Sequence, residues 1–346
     1  MLYRGSHVYL QPVMNLRLGK EIGEELTIGD VLLVSSAKLR RIRRRIGLPW
    51  RVSESPHWLS SAVRDFETFG VTDCAGAGEA MLRRAEEQIR EACSILRCAS
   101  WPFAKRSRKN LLHVFGPSDV AYRVLSRQIV VEKTSGNPVG TRIEQRRSLI
   151  PFEINHFWHN FQTTHGWLRA LSHFVDTTDI DSKWRGAVRR AASLFGESLQ
   201  EADRALAFLM DMMALDTVLL ERNDRSREIF QRLDAILGWS NAELSTPWFQ
   251  APDLKRISDR RNDLVHDGDS SQLQAQDLIL ADELLANLLF FICQMGQRWR
   301  TRVDMIQFVE RIACRQKLGV PAYAEEGKLP LKVFRPHYAS TEISKL

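Results

Sequence analysis

The chain has 346 residues; hydrophobic residues make up 44% of it and charged residues 26%, and its formal net charge at pH 7 is +7. These values are ordinary for a folded protein, and they exclude wholesale disorder, a collagen-like chain and a disulfide-stapled miniprotein. The most apolar run, residues 284–293, is far shorter than the roughly 20 residues that a membrane-spanning helix needs, so we expect no membrane partner.

The N-terminus and the cysteines predict a cytoplasmic protein. The first residues contain no long apolar core of the kind that defines a secretory signal peptide. The five cysteines are odd in number and lack the close spacing of a disulfide framework or a metal site. We therefore expect free thiols in a reducing compartment.

In chain order, the first half predicts a mixture of strands and helices. Strands are expected where β-branched and apolar residues are concentrated, over residues 28–34, 111–115 and 121–132. Residues 79–99 predict an amphipathic helix, and residues 153–174, which are rich in aromatic side chains, predict one or two buried helices. Residues 1–178 are thus expected to form a mixed α/β domain that ends in a polar stretch.

Apolar residues at helical spacing predict helices through almost the whole second half of the chain. These helices are expected over residues 184–199, 201–220, 226–237, 253–266 and 274–311. Gly238 and Gly268 are expected to end two of them, since glycine is common just after a helix. The predicted fold class is α+β overall, with an all-α helical bundle over residues 179–314 and an irregular tail over residues 315–346.

Positive charge is concentrated in the first half, which points to a polyanionic partner such as RNA. Residues 1–180 contain 26 Lys and Arg against 18 Asp and Glu, whereas residues 181–346 contain 23 against 24. Residues 38–45 include six basic side chains, a density that suits a nucleic-acid backbone. The RNA-binding candidates are Arg40, Arg41, Arg43, Arg44 and Arg45. The alternative is a solvated helix face beside a buried stripe of Leu39, Ile42 and Ile46.

The segment with the clearest chemistry is Asp-Arg-Arg-Asn-Asp-Leu-Val-His-Asp-Gly-Asp, residues 259–269. Five Arg–His pairs in the chain have four to six intervening residues, but only the two that end at His266 lie on a predicted helix of the helical half. With Arg261, Asn262 and His266, this segment resembles the Apea-like branch of the HEPN superfamily, the helical domains of bacterial defence and toxin nucleases. The resemblance covers about residues 184–313.

The resemblance implies a role for each residue of the motif. Arg261 would bind phosphate, His266 would act as a general base, and Asn262 would position one or both of them. Arg260 is a supporting candidate because its spacing to His266 also fits the family pattern. Asp216, on an earlier predicted helix, stands where the family often has Glu, and it is a second supporting candidate that could orient the Arg or the His. The alternative for Asp216 is a simple buried or surface acid.

The same residue types suit RNA cleavage on chemical grounds. On a regular helix, Asn262 and His266 are four residues apart and share a face. A histidine can take the proton of a ribose 2′-hydroxyl near neutral pH, and an arginine can stabilise the growing negative charge on the phosphate. Attack by the 2′-oxygen leaves a 2′,3′-cyclic phosphate. It needs no metal or cofactor, since the nucleophile belongs to the RNA itself.

The resemblance also implies partners for the protein. In the family, two protomers typically bring their motifs into one cleft, so a homodimer is expected, with the helix of residues 284–291 as one candidate interface. A nuclease that harms its host has to be restrained. We therefore expect an inhibitor or a phage-derived trigger, and a role in antiviral defence by abortive infection or as a toxin.

Other interpretations of these residues stay open. The motif can be a solvated helix face with His266 as a C-terminal cap, and the domain a non-catalytic HEPN-like regulator that binds nucleotides or partners. The chain can also be a basic nucleic-acid-binding regulator whose helical half forms a dimer. A second basic cluster over residues 105–109 is a weaker candidate for phosphate contact. Aromatic neighbours favour core packing over a metal site for His156, His159 and His165.

Overall fold

A computed structural model divides the chain into two compact units. It describes residues 7–13, 16–42, 45–46, 67–74, 79–103, 125–131, 138–145, 152–221, 224–225, 227–243, 248–318 and 333–343. One unit comprises Met1–Arg90 with Lys109–His156, and the other comprises Glu91–Arg108 with Phe157–Leu346. Residues 157–178, which the sequence assigns to the first domain, thus belong to the second unit.

The first unit contains a four-stranded antiparallel sheet and two further strand pairs. Its strands are β1 (His7–Val13), β2 (Leu16–Leu18), β3 (Glu25–Ile28), β4 (Val31–Ser35), β5 (Thr68–Cys74), β6 (Leu125–Val131), β7 (Pro138–Gln145) and β8 (Phe152–Ile154). The sheet has the spatial order β1-β5-β4-β3, β2 pairs with β8 in parallel, and β6 pairs with β7 antiparallel. The strand expected within residues 121–132 is confirmed by β6, and the one expected over residues 111–115 lies outside the described residues.

The single strand predicted over residues 28–34 is wrong, because a tight turn divides it. Ile28 pairs with Val31, so Gly29 and Asp30 form a two-residue hairpin loop between β3 and β4. A Gly-Asp pair between two apolar runs is a recognised signal for such a loop. The signal is easily overlooked here because every residue of β4 is buried and the apolar pattern continues across the turn.

A small hydrophobic core packs helix α1 (Ser36–Ile42) against the sheet. The helix begins after Ser35, whose hydroxyl accepts a hydrogen bond from the backbone N–H of Lys38. The core consists of Leu32, Val34, Leu39, Ile42, Ile46, Phe69 and Val71. The buried stripe that the sequence predicts on this helix is therefore confirmed.

The second unit has no strand among its described residues, as the sequence predicts for the helical half. In the part of the chain that the structure describes, the other α-helices are α2 (Glu79–Ser100), α3 (His156–His165), α4 (Trp167–Asp176), α5 (Ser182–Ser198), α6 (Arg204–Leu219), α7 (Arg227–Glu243), α8 (Ala251–Asn262), α9 (Ala275–Gln294), α10 (Arg302–Lys317) and α11 (Ser340–Ile343). Among these and the other described helices, none combines the length and the apolar character that a bilayer crossing requires.

Helix α9 is the central element of the second unit. It contacts each of the helices α4 to α8, and every residue from Leu284 to Cys293 is buried. A helix that is apolar on all sides is typically covered by several neighbours. The expectation that residues 284–291 offer an interface to a second copy is therefore wrong, because their side chains lie inside the fold.

Two predicted helix boundaries in this unit are also wrong. The helix expected over residues 274–311 is divided into α9 and α10, because a capping box begins the second of them. In that box the Thr301 N–H donates to Asp304 Oδ2 over 2.8 Å, and the Asp304 N–H donates to Thr301 Oγ1 over 3.1 Å. Helix α7 does not end at Gly238 but continues to Glu243, with Gly238 in a helical conformation.

The C-terminal residues 333–343, here called the C-terminal strap, are fastened to α9. The Asn287 side chain donates to the carbonyl of Phe334 over 2.9 Å and accepts from the N–H of Phe334 over 2.8 Å. The Phe334 ring packs against aromatic rings of α3, α4 and α9. Arg335 Nε lies 3.3 Å from Glu283 Oε2. The strap contains little regular structure, as predicted, yet it is part of the packed unit.

The buried carboxyl group of Glu283 predicts a pH-dependent stability. Burial raises the pKa of Glu283 from 4.5 to about 7, although the guanidinium of Arg335 acts in the opposite direction. Below about pH 4.5 the group is protonated in both states, so its contribution to stability is fully present. Between about pH 4.5 and pH 7 the unfolded chain loses the proton while the folded chain keeps it, so this contribution falls with rising pH. Above about pH 7 both states are ionised and about 3 kcal/mol has been lost.

Replacing Glu283 by glutamine should remove this dependence. We expect the melting temperature of the Glu283→Gln variant, relative to the unaltered protein, to rise between pH 4.5 and pH 7.5. The measurement is thermal unfolding followed by circular dichroism across that range. Glu87→Gln, which alters an exposed carboxylate on α2, is the control. Its melting temperature, plotted against pH, should run parallel to that of the unaltered protein. Parallel profiles for Glu283→Gln itself would contradict the prediction.

Candidate active site

The motif lies at the C-terminal end of α8 and in the turn that follows. The helix begins with a capping box, in which Gln250 and Asp253 exchange hydrogen bonds, and it has a proline in its first turn. Leu254 and Ile257 are buried and hold its inner face against the rest of the unit. The end of the helix is thereby fixed, and the motif is carried at that end.

The turn after α8 is wider than a turn of α-helix. Residues Asp263–Asp267 form a π-helical turn, in which the N–H of Gly268 donates to the carbonyl of Asp263, five residues earlier. Gly268 has φ 66°, in the left-handed region that glycine adopts without strain. The prediction that this helical segment stops at Gly268 is confirmed, although its last turn is not an α-turn.

The wide turn brings His266 closer to the side of the helix that carries Arg261. On an α-helix, residues three and four apart are neighbours, whereas on a π-turn the alignment shifts to residues five apart. Arg261 and His266 are five residues apart, so the π-turn reduces the angle between them on the helix surface. Asn262 keeps its place beside both. Single π-turns are frequently found at functional sites.

Arg261 is held by a carboxylate from another helix. Its Nη2 atom lies 2.8 Å from Oδ2 of Asp216 on α6, and the two side chains are 14% and 31% exposed. The second carboxylate oxygen of Asp216 is buried and has no hydrogen-bond partner among the described residues. The structure thus brings together Arg261 and Asp216, with the carboxylate in position to orient the guanidinium.

Arg260 contacts a different set of carboxylates. Its Nη1 atom lies 3.5 Å from Asp263 Oδ2, and its Nε atom lies 3.9 Å from Asp277 Oδ2 at the start of α9. Arg256, one turn earlier, shares Asp277, with its Nε atom 2.8 Å from Oδ1. Successive residues on a helix point in different directions, so Arg260 belongs with Arg256 and Asp277, whereas Arg261 belongs with Asp216.

His266 is exposed at the surface, five residues after this anchored arginine along the chain. Neither His266 nor the half-buried side chain of Asn262 makes a hydrogen bond or ion pair with any other described side chain. An imidazole in this setting can approach a bound substrate and exchange a proton with it. Arg261 uses one terminal nitrogen for Asp216, and its other N–H groups can serve a phosphate.

Acidic residues surround the motif on the C-terminal side. Asp263, Asp267 and Asp269 all lie within four residues of His266 along the chain. Hydrogen bonds from the backbone and side chain of Ser271 lower the pKa of Asp269, and the charge of Arg260 acts in the same direction. An anionic substrate therefore meets both the arginine and a set of carboxylates at this end of the helix.

The basic cluster of the first half is partly engaged in ion pairs. Arg41 pairs with Glu24, and Arg45 pairs with Glu25. Arg40 is exposed. The two remaining RNA-binding candidates, Arg43 and Arg44, lie outside the described residues. The paired arginines favour the solvated-face interpretation for this segment, although exposed pairs of this kind are weak, typically worth about 0–1 kcal/mol.

The remaining candidates from the sequence carry no assembled site in the described part of the chain. His156 and His159 are exposed, whereas His165 has the expected aromatic packing, with its ring 4.6 Å from that of Phe161. No group of three or more His, Cys, Asp or Glu side chains in the described residues is arranged to hold a metal ion. The basic cluster of residues 105–109 lies outside the described residues.

The structure describes the side chains of four of the five cysteines that the sequence predicts to be free thiols. Cys93, Cys98 and Cys293 are buried and Cys314 is exposed, and none of these four forms a disulfide. Burial raises the pKa of the Cys98 thiol, which keeps it protonated and unreactive. The three buried cysteines therefore pack in the fold, and none of the four lies within the motif.

Comparisons of the chain with family models, with curated proteins and with solved structures find no match. The assignment of the motif thus depends on its own residues. Sequence reasoning did not single out two further ion pairs of this unit, Arg256 with Asp277 and the strap residue Arg335 with Glu283. One signal for Asp277 was present, since Gln274 and Asp277 have the spacing of a capping box at the start of α9.

Proposed function

We propose that the protein is a metal-independent endoribonuclease of the HEPN type, acting in antiviral defence by abortive infection or as a toxin. The observation that carries the proposal is the ion pair between Arg261 and Asp216, which fixes an arginine of the motif helix five residues before the exposed His266. Arg261 and Asp216 come from the two helices in which the family resemblance is clearest. The proposed location is the cytoplasm, where RNA is available.

In the proposed reaction His266 removes the proton from a ribose 2′-hydroxyl. The 2′-oxygen then attacks the adjacent phosphorus, the bond from phosphorus to the 5′-oxygen breaks, and the leaving oxygen takes a proton from solvent. Arg261 stabilises the negative charge that grows on the phosphate, and Asp216 keeps the guanidinium in place. Asn262 lies between Arg261 and His266 along the chain, and its amide would hydrogen-bond either the phosphate or the ribose. Arg260 has a supporting part only, because it is engaged by Asp263 and Asp277.

The proposed active form is a homodimer, and the exposed face of α6 is the surface that suits it. Leu206 and Met213 on this helix are 45% and 55% exposed, and Val265 in the π-turn is 52% exposed. Large apolar side chains that are exposed together near a candidate site commonly mark an interface. Asp216 is on the same helix, so a second copy bound here would bring a second motif close to the first. An inhibitor or a phage-derived trigger would then act by blocking or permitting this arrangement.

The test of the proposed function is cleavage of RNA in excess EDTA. Purified protein is incubated with total bacterial RNA, and with a matched single-stranded DNA, in the presence and absence of a phage lysate. We expect RNA fragments with 2′,3′-cyclic phosphate and 5′-hydroxyl ends, and no cleavage of the DNA, which lacks the nucleophile. Equal cleavage of both substrates, or fragments with 5′-phosphate ends, would contradict the mechanism.

A non-catalytic regulator is the second candidate function. The observation that favours it is the set of carboxylates beside the motif, Asp263, Asp267 and Asp269, which repel an RNA backbone. The limited exposure of Arg261, 14% of its side chain, favours it as well. In that case the protein would bind its partner through the same helix end without cutting RNA under any of the conditions above.

A further inference from the structure

A cavity of about 520 Å³ lies in the second unit, apart from the motif. Its walls are the start of α8, the N-terminal half of α9 and the C-terminal strap. The residues that line it include Trp248, Arg256, Ile279, Glu283, Arg335 and Tyr338. Its volume falls within the range of about 300–1,000 Å³ that is usual for small-molecule sites.

Two anchored guanidinium groups line this cavity. Arg256 is held by Asp277, 2.8 Å from its Nε atom, and by Asp253, 2.8 Å from its Nη1 atom. Arg335 is held through its Nε atom by Glu283. Both arginines remain about half exposed, with side-chain exposures of 41% and 49%. Each guanidinium is thus fixed in orientation, with further N–H groups available for a planar anion such as a phosphate or a carboxylate.

Aromatic and apolar side chains complete the cavity. Trp248 is almost fully buried in its wall, Tyr338 lies on the strap, and Ile279 on α9 is half-buried. Flat apolar surfaces of this kind suit the ring of a ligand, while the arginines suit its charge. A neutral apolar molecule would desolvate the two guanidinium groups without replacing their hydrogen bonds, so it fits the cavity poorly.

We propose that this cavity binds a small anion that carries an aromatic ring, through Arg256 and Arg335 on the anionic group and Trp248 and Tyr338 on the ring. An aryl phosphate and a nucleotide both combine an aromatic ring with an anionic phosphate group. The site is independent of the motif on α8, so the proposal does not depend on RNA cleavage. Because the strap supplies Arg335 and Tyr338, the site exists only when the strap is packed against α9.

The test is calorimetric titration of the full chain with phenyl phosphate, AMP, inorganic phosphate and phenol. We expect phenyl phosphate and AMP to bind, phosphate to bind more weakly, and phenol not to bind. Tighter binding of AMP than of phenyl phosphate would identify a nucleotide, and the reverse order would identify another aromatic anion. The proposal would be overturned if neither aromatic anion bound at about 10 mM, or if phenol bound as tightly as phenyl phosphate.

Paired variants separate binding from folding. Arg335→Gln alone leaves Glu283 buried without its partner, so the comparison uses Glu283→Gln and the double variant Glu283→Gln/Arg335→Gln. Glu283→Gln changes the carboxylate beside Arg335 but keeps an amide oxygen that can accept from it, so this variant is the reference for the comparison. Relative to it, the double variant should bind phenyl phosphate about ten- to hundred-fold more weakly, since it loses a charged hydrogen-bond donor. Equal affinity in two variants with equal melting temperatures would remove Arg335 from the site and overturn the proposal.

Discussion

Replacing His266 by alanine is expected to slow RNA cleavage by about 10²–10⁴-fold, which is the usual contribution of a general base. The fold should be unaffected, because His266 is exposed and its side chain makes no hydrogen bond or ion pair with another described side chain. The measurement is the cleavage rate constant with protein in excess over a labelled RNA, together with the melting temperature. The loss of rate should occur with no change in melting temperature.

His159→Ala is the matched control for this prediction. His159 is an exposed histidine on α3 in the same unit, and it lies outside the motif. It should leave the rate constant unchanged. If His266→Ala cleaved RNA as fast as the unaltered protein, His266 would not be the base. If only a contaminant cut the RNA, both variants and the unaltered protein would show the same rate and the same fragment ends.

The position of the motif on a helix of the second half could be predicted from local sequence. Pro252 marks the first turn of α8, Leu254 and Ile257 keep helical spacing, and Gly268 stands where a left-handed residue ends the segment. These signals act over a few residues and do not depend on the rest of the fold. The π-turn before Gly268 has no comparable signal, because its residues, Asp-Leu-Val-His-Asp, also suit an α-helix.

The difference between Arg260 and Arg261 could not be predicted from the sequence. Both have an allowed spacing to His266, and they are adjacent on the helix. What separates them is tertiary contact, since Asp216 is 45 residues away along the chain from Arg261 and Asp277 approaches Arg260 from another helix. A pattern of types and spacings contains no information on which carboxylate meets which guanidinium.

The prediction of an interface on α9 was wrong for a related reason. An apolar run such as residues 284–291 is compatible both with an interface and with the interior of the fold. The choice depends on how closely other helices surround it, and helices α4 to α8 all contact α9 here. The exposed residues of α6 were harder to find, because Leu206 and Met213 lie in a helix that is apolar on more than one face and largely buried.

Replacing Gly196 by alanine is expected to destabilise the second unit by at least about 3 kcal/mol, at the upper end of the usual cost of overpacking. A β-carbon at this position of α5 would lie 2.7 Å from the Cα atom of Ser94 on α2 and still closer to its carbonyl group. Backbone atoms cannot move aside as a flexible side chain can, and Arg97 Nη1 also contacts the Gly196 carbonyl, at 3.3 Å. The melting temperature should fall by at least about 6 °C.

Gly186→Ala in the same helix is the control and should have the opposite effect. A β-carbon at Gly186 meets nothing within 4 Å, so the substitution only removes the helix-disfavouring freedom of glycine. It should stabilise the protein by about 0.5–1 kcal/mol. Both variants are compared by thermal unfolding followed by circular dichroism. If the Gly196→Ala protein were as stable as the Gly186→Ala protein, the prediction would be wrong. Helices α2 and α5 would then not cross in close contact at Ser94 and Gly196, and the packing between these two helices would be looser than the structure has it.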